Sequence, residues 1–578
     1  MNKKLFAIFS AILFLSVTVV PPAHAQGWQQ TKVHHVLLVS IDGFHAVDFL
    51  NCSQGVDGVN NGEAYCPNLA KLAATAVNYL DTSTSRPSDS FPGLMALMTG
   101  GTPRTYGAFY DVAYDRVLAP PTITTGNGLA GGSCNVDTPN GTSTEYDEGI
   151  DRNQGFLNGV DGISTANGDG GIASIDPNRL VRNPYNHCAP VFPWNFIRVN
   201  TIYGVIHAAG GYTAWSDKHP SYSAVAGPGN GSNLDDYYSP EINSNVVNLP
   251  GVTTPLGQSC ATIPDANADL TAWTNSFQNI QCYDTLKVNA ILNEIDGFNH
   301  NRSKQTKVPT IFGMNFQAVS VGQKLIEKGV GTGGYMEGTG TPTSHLLREI
   351  QFVDAAIGQW VAELKKQGLW DSTLIIITAK HGQSPIDSAR YAGITASGPI
   401  TTSPSMIIDN CLPASESNAG GQIGPTEDDV SLLWLKNTCT TATEVSALES
   451  SSPSTSNVAG IGEIFWGSSL TQLFNKPGIP PDGDPRTPDI LITPNIGVTY
   501  SGSTAKLAEH GGFSHDDTNV IVLVSHPSFT AKTLTTPVQT DQVAPTILKA
   551  LGLDPNNLQA VQLQGTPVLP GVPYSDLR

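Results

Sequence analysis

Four short segments along the chain carry residue types that can act on a bound anion. Asp42 lies in a Ser-Ile-Asp-Gly-Phe motif, and Ser90 precedes Phe-Pro. His381 follows Lys380 in Lys-His-Gly, and His510 opens His-Gly-Gly. Carboxylates and imidazoles ligate divalent cations, and a serine at a helix start can become a nucleophile beside such a cation. The set indicates metal-assisted attack on an ester, with part of the metal-ligand set missing.

Each of these residues also has a plain structural interpretation. Ser88 is the alternative nucleophile, and either serine can simply cap the helix that runs through residues 94–98. Asp42 before a glycine is typical of a turn. An isolated histidine is more often structural than catalytic, so the argument depends on these residues occurring together and in this order.

The elements that must position these residues can be predicted from apolar runs. Residues 36–41 form a continuous apolar run that ends at Asp42, as in a buried parallel strand with a functional loop at its carboxyl end. Similar runs lie at 309–315, 374–378, 489–492 and 520–524. Apolar residues at helical spacing predict a helix over 344–367. This alternation predicts an α/β fold with three α/β/α layers and a mostly parallel central sheet.

Three stretches are rich in Asn, Asp, Gly, Pro and Thr and show little periodicity. They cover about 111–201, 223–275 and 412–485, and we interpret them as loop-rich insertions on the core domain. Disorder is the alternative explanation for such a composition. Because six of the eight cysteines fall within or beside these stretches, we favour insertions tied by disulfides.

The N-terminus predicts export. Lys3 and Lys4 precede an apolar run over 5–20, and Ala-His-Ala follows at 23–25. This pattern predicts a secretion signal over residues 1–25 and a mature domain over 26–578. A membrane anchor is the alternative, but it needs about 20 apolar residues. We therefore expect a soluble, secreted or periplasmic protein without a stable membrane anchor.

The cysteines agree with an oxidising compartment, since all eight lie after the predicted signal. Proximity in sequence suggests the pairs Cys52 with Cys66 and Cys260 with Cys282, although spacing alone leaves the connectivity open. A zinc-thiolate site is disfavoured because no Cys-x-x-Cys pair occurs.

The charge balance bears on partners. The chain has 30 basic and 49 acidic residues, a net charge of −19. Such an acidic protein is poorly suited to non-specific binding of nucleic acid or of anionic membranes.

The order of these motifs resembles the alkaline phosphatase superfamily, and within it the type I phosphodiesterase/nucleotide pyrophosphatase family. The resemblance implies an alkaline-phosphatase-like domain. It also implies that the hydroxyl residue before Phe-Pro, Ser90, is the nucleophile. Asp42, His381 and His510 correspond to metal ligands of that family, which commonly binds two zinc ions.

The departures from that pattern are equally informative. The family's Glu-Pro-Asp-x-x-Gly-His segment corresponds here to residues 317–323, with Val319 and Gln323 at its ligand positions. Lys380 stands where the family has a further aspartate ligand. We therefore expect one divalent ion rather than two, zinc or else Ca²⁺ or Mg²⁺. We also expect Lys380 to act in catalysis as a fixed positive charge, with a structural salt bridge as its alternative.

Residues 215–220 gather an aromatic, a carboxylate, a lysine and an imidazole after a predicted strand. We expect Lys218 and His219 to contact the substrate, and a polar surface turn is an equally good interpretation. Gly93 stands where related phosphodiesterases often have an asparagine that contacts phosphate, which weakens the case for nucleotide substrates.

The resemblance implies a secreted hydrolase of small phosphate esters, of the phosphodiester or nucleotide pyrophosphate type. Hydrolysis of a sulfate or phosphonate ester is an alternative within the same superfamily. A non-catalytic binding member is the other alternative, because ligands are missing. The sequence leaves open the organic part of the substrate and the oligomeric state.

Overall fold

The structure is a computed structural model. It describes residues 30–123, 131–137, 141–146, 150, 171–242, 249–262, 273–395, 398–418, 424–451, 459–501 and 505–578. The predicted secretion signal over 1–25 lies outside the described residues, as do parts of the three predicted insertions.

The helices are α1 Ala46–Gln54, α2 Pro67–Ala73, α3 Ser90–Thr99, α4 Pro103–Tyr106, α5 Pro193–Phe196, α6 Ile202–Ala208, α7 Asn279–Ile295, α8 Ala318–Lys324, α9 Ser344–Lys366, α10 Pro404–Ile407, α11 Thr441–Ser450, α12 Gly467–Leu473, α13 His515–Thr518, α14 Val543–Ala550 and α15 Gln559–Gln564. The strands are β1 His35–Ile41, β2 Ala76–Tyr79, β3 Thr82–Ser83, β4 Val112–Asp115, β5 Thr142–Glu145, β6 Arg182–Asn183, β7 Ala189–Pro190, β8 Ala214–Ser216, β9 Asp236–Tyr238, β10 Ile311–Phe316, β11 Ile326–Glu327, β12 Gly331–Thr332, β13 Thr373–Thr378, β14 Ala392–Gly393, β15 Thr426–Glu427, β16 Ser431–Leu433, β17 Ile461–Trp466, β18 Ile490–Pro494, β19 Val498–Thr499, β20 Val522–Ser525, β21 Lys532–Leu534 and β22 Val538–Gln539.

The central sheet has eight strands in the order β21-β2-β20-β13-β1-β10-β8-β9. Strand β1 pairs in parallel with both β13 and β10, and β10 continues in parallel to β8 and β9. Within this sheet only β20 runs antiparallel to its neighbours. The mostly parallel sheet predicted from the sequence is therefore confirmed.

The packing of strand β1 explains why most of its residues are apolar. Val36 and Leu38 pack into a cluster with α3, α6, α14 and α15 on one face of the sheet. Leu37, Val39 and Ile41 pack on the opposite face against α1, α2, α7, α8 and α9. Because helices cover both faces, a polar residue has no solvent-facing position along the strand. The chain thus has the three-layer architecture that the sequence predicts.

The amphipathic helix predicted over 344–367 is confirmed as α9, Ser344–Lys366. The Thr343 side chain caps its start by accepting a hydrogen bond from the Leu346 N–H. Two lysines in the last turn interact favourably with the partial negative charge at the C-terminal end of the helix dipole. The helix packs against α7, α8 and α2 and buries its apolar stripe against the sheet layer.

Two strand predictions and the extent of one predicted insertion need correction. Residues 489–492 were expected in the main sheet, but β18 belongs to a separate four-stranded antiparallel sheet ordered β15-β16-β18-β17. Residues 520–524 contribute β20, which is antiparallel rather than parallel. Strand β9 lies inside the predicted insertion 223–275, yet it forms the edge of the main sheet. An apolar run reports burial on both faces but carries no information on the direction of the neighbouring strand.

The predicted insertion at 412–485 is more regular than its composition suggests. Its strands β15, β16 and β17 form a sheet with β18, which follows it in the chain. One face of this sheet packs with α11 around Leu433, Leu448 and Ile490. The other face packs Leu432 and Trp434 against the segment that follows α4. The predicted insertion therefore shares two small hydrophobic cores with neighbouring parts of the chain.

Disulfides fasten the chain at four places. The predicted pairs Cys52–Cys66 and Cys260–Cys282 are both present. The structure adds Cys134–Cys188, within the first predicted insertion, and Cys411–Cys439, which joins the residue before the third predicted insertion to its interior. Among the described residues no helix is long and apolar enough to cross a membrane.

The buried carboxyl group of Asp541 predicts a pH dependence of stability. Asp541 lies before α14 and is 7% exposed, and its Oδ1 lacks a hydrogen-bond partner among the described residues. Burial raises its pKa to about 7. Between about pH 4 and pH 7 the native state therefore holds more protons than the unfolded chain, so the free energy of unfolding falls as pH rises.

We expect Asp541→Asn to remove this loss, because the amide is neutral at every pH. The unfolding free energy of the variant minus that of the parent should increase by on the order of 3 kcal/mol from pH 4 to pH 8. Urea denaturation at both pH values measures this difference. Asp57→Asn, at an exposed carboxyl group, is the control and should show no such gain. Equal curves for Asp541→Asn and the parent would contradict the expectation.

Candidate active site

The site lies at the carboxyl ends of four neighbouring parallel strands. Ser40 in β1 is aligned with Asn315 in β10 and with Thr378 in β13. Ser216 in β8 is aligned with Met314 in β10. The residues that follow these strands therefore emerge together at one edge of the sheet, which is the usual location of binding sites in α/β proteins.

Ser90 reaches this edge from the start of α3. Asp89 caps that helix, and its carboxylate accepts a hydrogen bond from the Phe91 N–H. The Ser90 Oγ lies 3.2 Å from His381 Nε2 and 3.2 Å from Lys218 Nζ. The hydroxyl group thus has a base on one side and a cation on the other. Ser88 is turned away.

The alternative serine has a structural role. The Ser88 Oγ donates to the Asp517 carbonyl oxygen at 2.6 Å and also contacts the Thr84 Oγ at 2.6 Å. It lies in the wall of the site and ties α3 to the segment around α13. Of the two serines, Ser90 alone has a hydrogen bond to a described histidine side chain.

Asp42 is buried and heavily hydrogen-bonded. Its Oδ1 accepts from Asn315 Nδ2 at 2.6 Å, and its Oδ2 accepts from Gln317 Nε2 at 2.6 Å. Burial alone would raise its pKa, but the positive charges of Lys380 and Lys218 hold the pKa of Asp42 well below its usual value. Asp42 is therefore a carboxylate anion.

Lys380 is wholly buried and paired with Asp217. Its Nζ donates to Asp217 Oδ1 at 2.9 Å and lies 4.1 Å from the centre of the Tyr222 ring. Burial lowers the pKa of Lys380, and the Asp217 charge opposes that shift. The structural salt bridge left open by the sequence is thus present. Its predicted catalytic role stays a prediction.

Lys218 is the lysine that contacts the predicted nucleophile. Besides Ser90, its Nζ lies 3.4 Å from Gln317 Oε1 and 3.9 Å from Asp42 Oδ2. Burial alone would lower its pKa, but the negative charges of Asp42 and Asp217 raise the pKa of Lys218 above its ordinary value. Lys218 therefore remains an ammonium ion. Its side chain is 14% exposed, so it also borders the surface.

The two predicted histidine ligands lie against each other, with ring centres 3.9 Å apart. His381 Nδ1 lies 2.7 Å from the Gly382 carbonyl oxygen, and its Nε2 lies 3.5 Å from Asp42 Oδ2. His510 Nδ1 lies 3.4 Å from Asp89 Oδ1. Burial and the neighbouring His381 lower the pKa of His510 to about 3, so its ring is neutral.

His219 faces away from Ser90. Its Nδ1 lies 3.2 Å from the Glu241 carboxylate, and its carbonyl oxygen accepts a hydrogen bond from the Tyr237 hydroxyl. The pair predicted to bind substrate is therefore divided, with Lys218 at the nucleophile and His219 in a neighbouring polar cluster. Substrate contact by His219 stays a prediction.

Besides Lys380, two further positions where the related family has metal ligands hold Val319 and Gln323. Val319 lies in α8 and packs into the hydrophobic cluster between this helix and the sheet. Gln323 Nε2 donates to the Gly43 carbonyl oxygen at 2.7 Å and to the Tyr335 hydroxyl at 2.7 Å. Gln323 thus braces the turn after Asp42.

As arranged, these residues do not fit a divalent cation. Asp42 and His381 are close enough to share one, but both Asp42 oxygens accept amide N–H groups and an ammonium group stands beside them. Within the described ranges, the one trio of metal-binding residue types with ligand atoms within 4.8 Å is Cys411, Cys439 and Glu444, and its cysteines form a disulfide. A site of Asp42, His381 and His510 is not confirmed.

Sequence reasoning missed three residues that organise the site. Asn315 and Gln317 bind Asp42, and Asp217 binds Lys380. Each lies at or just beyond the end of a predicted strand adjacent to β1 or β10. That position is the signal that could have identified them, because such strand ends meet at one edge.

Comparison with known proteins confirms the resemblance. The family model for type I phosphodiesterase/nucleotide pyrophosphatase matches residues 36–140 and 288–406. These segments include Asp42, Ser90 and His381, whereas Lys218 and His510 lie outside them. The match supports the predicted class, a hydrolase acting on ester bonds. No curated protein matches the sequence.

One solved structure supports the fold. An inactive variant of murine ectonucleotide pyrophosphatase/phosphodiesterase 5 in complex with AMP aligns with a TM-score of 0.50 and 13% identity over 91% of this chain and 96% of that one. A second structure of the murine protein has a TM-score of 0.49, with 13% identity over 90% and 95% of the two chains. The human protein has a TM-score of 0.47, also with 13% identity over 90% and 95%.

The close approach of α3 to the Lys380 segment predicts that position 93 tolerates no side chain. A Cβ at Gly93 would lie 2.1 Å from the Lys380 carbonyl oxygen. We expect Gly93→Ala to lower the free energy of unfolding by about 1–3 kcal/mol and to slow turnover, because α3 carries Ser90. Thermal unfolding and an ester hydrolysis assay measure the two effects.

Gly204→Ala in α6 is the matched control. The nearest atom to its added Cβ is the Asn233 Nδ2, at 3.3 Å, which is the end of a side chain. This variant should keep both stability and activity. If Gly93→Ala behaved the same way, the contact between α3 and Lys380 would not constrain the site.

The buried pair of Lys380 and Asp217 predicts a strong coupling. Lys380→Met should cost about 3–5 kcal/mol of unfolding free energy, because it leaves the Asp217 carboxylate uncompensated. Lys380→Met combined with Asp217→Asn should recover most of that loss. Urea denaturation of the parent, both single variants and the double variant gives the coupling energy. Additive effects would contradict a direct pair.

Proposed function

We propose that this chain, in which the matched family segments carry Asp42, Ser90 and His381, is an exported hydrolase of phosphate esters with Ser90 as its nucleophile. The observation that carries the proposal is the placement of Ser90 Oγ between His381 Nε2 and Lys218 Nζ, at 3.2 Å from each. A hydroxyl group between a base and a cation is set up to be deprotonated and to attack an anionic ester.

His381 is suited to accept the proton. A carbonyl oxygen can only accept a hydrogen bond, so the contact with the Gly382 carbonyl places the ring proton on Nδ1. The lone pair of Nε2 then faces Ser90 Oγ. Once Nε2 is protonated, the Asp42 carboxylate 3.5 Å away stabilises the imidazolium.

The positive charge of Lys218, which lies 3.2 Å from Ser90 Oγ, favours a phosphoryl group in front of Ser90. Ser90 Oγ forms a bond to phosphorus and gives its proton to His381. The bond to the leaving alcohol breaks on the opposite side, and that alkoxide takes a proton from solvent. Water then attacks phosphorus, the bond to Ser90 Oγ breaks, and His381 returns the proton to Ser90 while the proton of the water goes to solvent.

A phosphodiester is the first substrate to test, in keeping with the matched family. Nucleotide esters come next, since AMP is bound in the murine structure with the same fold. The predicted signal over 1–25 and the four disulfides support function outside the cytoplasm.

Hydrolysis of bis-p-nitrophenyl phosphate by the purified mature protein tests the proposal. Ser90→Ala should lower kcat by roughly 10³-fold or more, because the nucleophile is lost. Ser88→Ala is the control and should keep most of the activity, since that hydroxyl is bound to the Asp517 carbonyl.

Parallel assays with p-nitrophenyl sulfate and with a p-nitrophenyl phosphonate ester separate the ester classes. Turnover restricted to one of them would move the assignment to that ester. Full activity in Ser90→Ala would refute the nucleophile. No turnover of any ester by a folded protein would favour a binding role.

A further inference from the structure

We propose that the Lys218 ammonium group occupies the place of a catalytic metal between Ser90 and Asp42, and that the protein hydrolyses its ester without a bound divalent cation. This inference deepens the proposed function and rests on it. It departs from what the family resemblance implies, and it is argued from the contacts of Lys218 and Asp42.

The first argument is the position of the ammonium group. Lys218 Nζ has oxygen atoms of three side chains around it, from Ser90 at 3.2 Å, Gln317 at 3.4 Å and Asp42 at 3.9 Å. The ammonium group donates hydrogen bonds to Ser90 and Gln317, and it forms a longer ion pair with Asp42. A metal that bridged the nucleophile and Asp42 would need the same space.

The second argument concerns the lone pairs of Asp42. Asn315 Nδ2 and Gln317 Nε2 each donate to one carboxylate oxygen at 2.6 Å. The orientation of the Gln317 amide is set from both ends, because its Oε1 accepts from Lys218 while its Nε2 donates to Asp42 and to Asn315 Oδ1. Turning the amide to offer oxygen to a metal would break these contacts.

The third argument is charge. Lys218 lies 3.9 Å from Asp42 and Lys380 is paired with Asp217, so two positive charges stand around the carboxylate that a metal would need. Asp89 and Asp111 add negative charge near Lys218, but the ammonium groups are the charges that act most strongly on Asp42 together with His381. An added dication would also be repelled by both ammonium groups. The site therefore has the positive charge that an anionic ester requires before any metal binds.

The remaining ligand positions support the same conclusion. Val319 offers no donor atom, and the Gln323 amide is engaged with Gly43 and Tyr335. His510 remains near Asp89 rather than beside Asp42. Two neighbouring donors, Asp42 and His381, fall short of the three protein ligands that catalytic zinc sites use.

Metal content tests the inference independently of turnover. The mature protein is expressed in medium supplemented with zinc, manganese, magnesium and calcium, and the bound metals are measured by plasma mass spectrometry. Calorimetric titration with zinc chloride follows on the parent and on Asp42→Asn. We expect no stoichiometric metal and no difference between the two proteins. One equivalent of metal that Asp42→Asn abolishes would overturn the inference.

Activity measurements then test Lys218. Turnover of bis-p-nitrophenyl phosphate should be unchanged by a chelator. Lys218→Met should lower kcat/KM by roughly 10²–10³-fold, and Lys218→Arg should retain part of the activity because the charge remains. Lys365→Met is the matched control. Lys365 is an exposed residue of α9 that lies over the Trp370 ring, and its replacement should leave kcat/KM unchanged. Loss of activity on chelation that zinc restores would overturn the inference.

Chemical rescue guards against a merely unfolded variant. All eight cysteines form disulfides, so Lys218→Cys adds the sole free thiol. Alkylation with 2-bromoethylamine rebuilds an ammonium side chain of nearly the same length, and it should restore turnover. Failure of rescue in a folded, fully alkylated protein would count against a role for the charge.

The two proposals can fail separately. If Ser90→Ala keeps its activity, or if no ester is hydrolysed, the proposed function fails while the metal measurements still decide the inference. If hydrolysis depends on Ser90 and also on one equivalent of metal, the proposed function stands and the inference fails.

Discussion

An ammonium group buried among apolar side chains is stable only beside a carboxylate, and the pair of Lys380 and Asp217 meets this requirement at the centre of the site. Lys380 follows β13 and Asp217 follows β8, so their contact spans the intervening β1 and β10. The pair fixes the segment after β8, and the next residue, Lys218, is thereby directed towards Ser90. The geometry of the candidate site thus depends on an interaction that does not touch Ser90.

A second consequence of burial is that Asp42 needs hydrogen-bond donors to remain ionised. Asn315 and Gln317 lie on the adjacent strand end and supply them. An amide can donate to a carboxylate and accept from a lysine at the same time, so Gln317 connects Asp42 to Lys218. The polar groups of the site therefore form one connected network, in which the position of each charge depends on its neighbours.

Much of the fold could be predicted because its signals are local. The apolar run at 36–41 and the stripe over 344–367 report burial directly, and they correspond to β1 and α9. Strand direction and sheet membership are not local, which is why residues 489–492 were placed in the wrong sheet. The sequence alone also could not determine whether Lys380 or Lys218 contacts Ser90. The answer depends on β8 lying next to β10, a pairing between elements about a hundred residues apart.

In the proposed mechanism, the replacement of a metal by Lys218 and the presence of a free base beside Ser90 depend on each other. A histidine that ligates zinc uses its lone pair for the metal and cannot also accept a proton from the nucleophile. A metal site compensates for this because the cation itself acidifies a bound hydroxyl group. An ammonium group stabilises an alkoxide without ligating it, so a base must remove the proton, and His381 Nε2 is placed to do so. Replacing the cation by Lys218 and releasing His381 from ligation are therefore two parts of one change in chemistry.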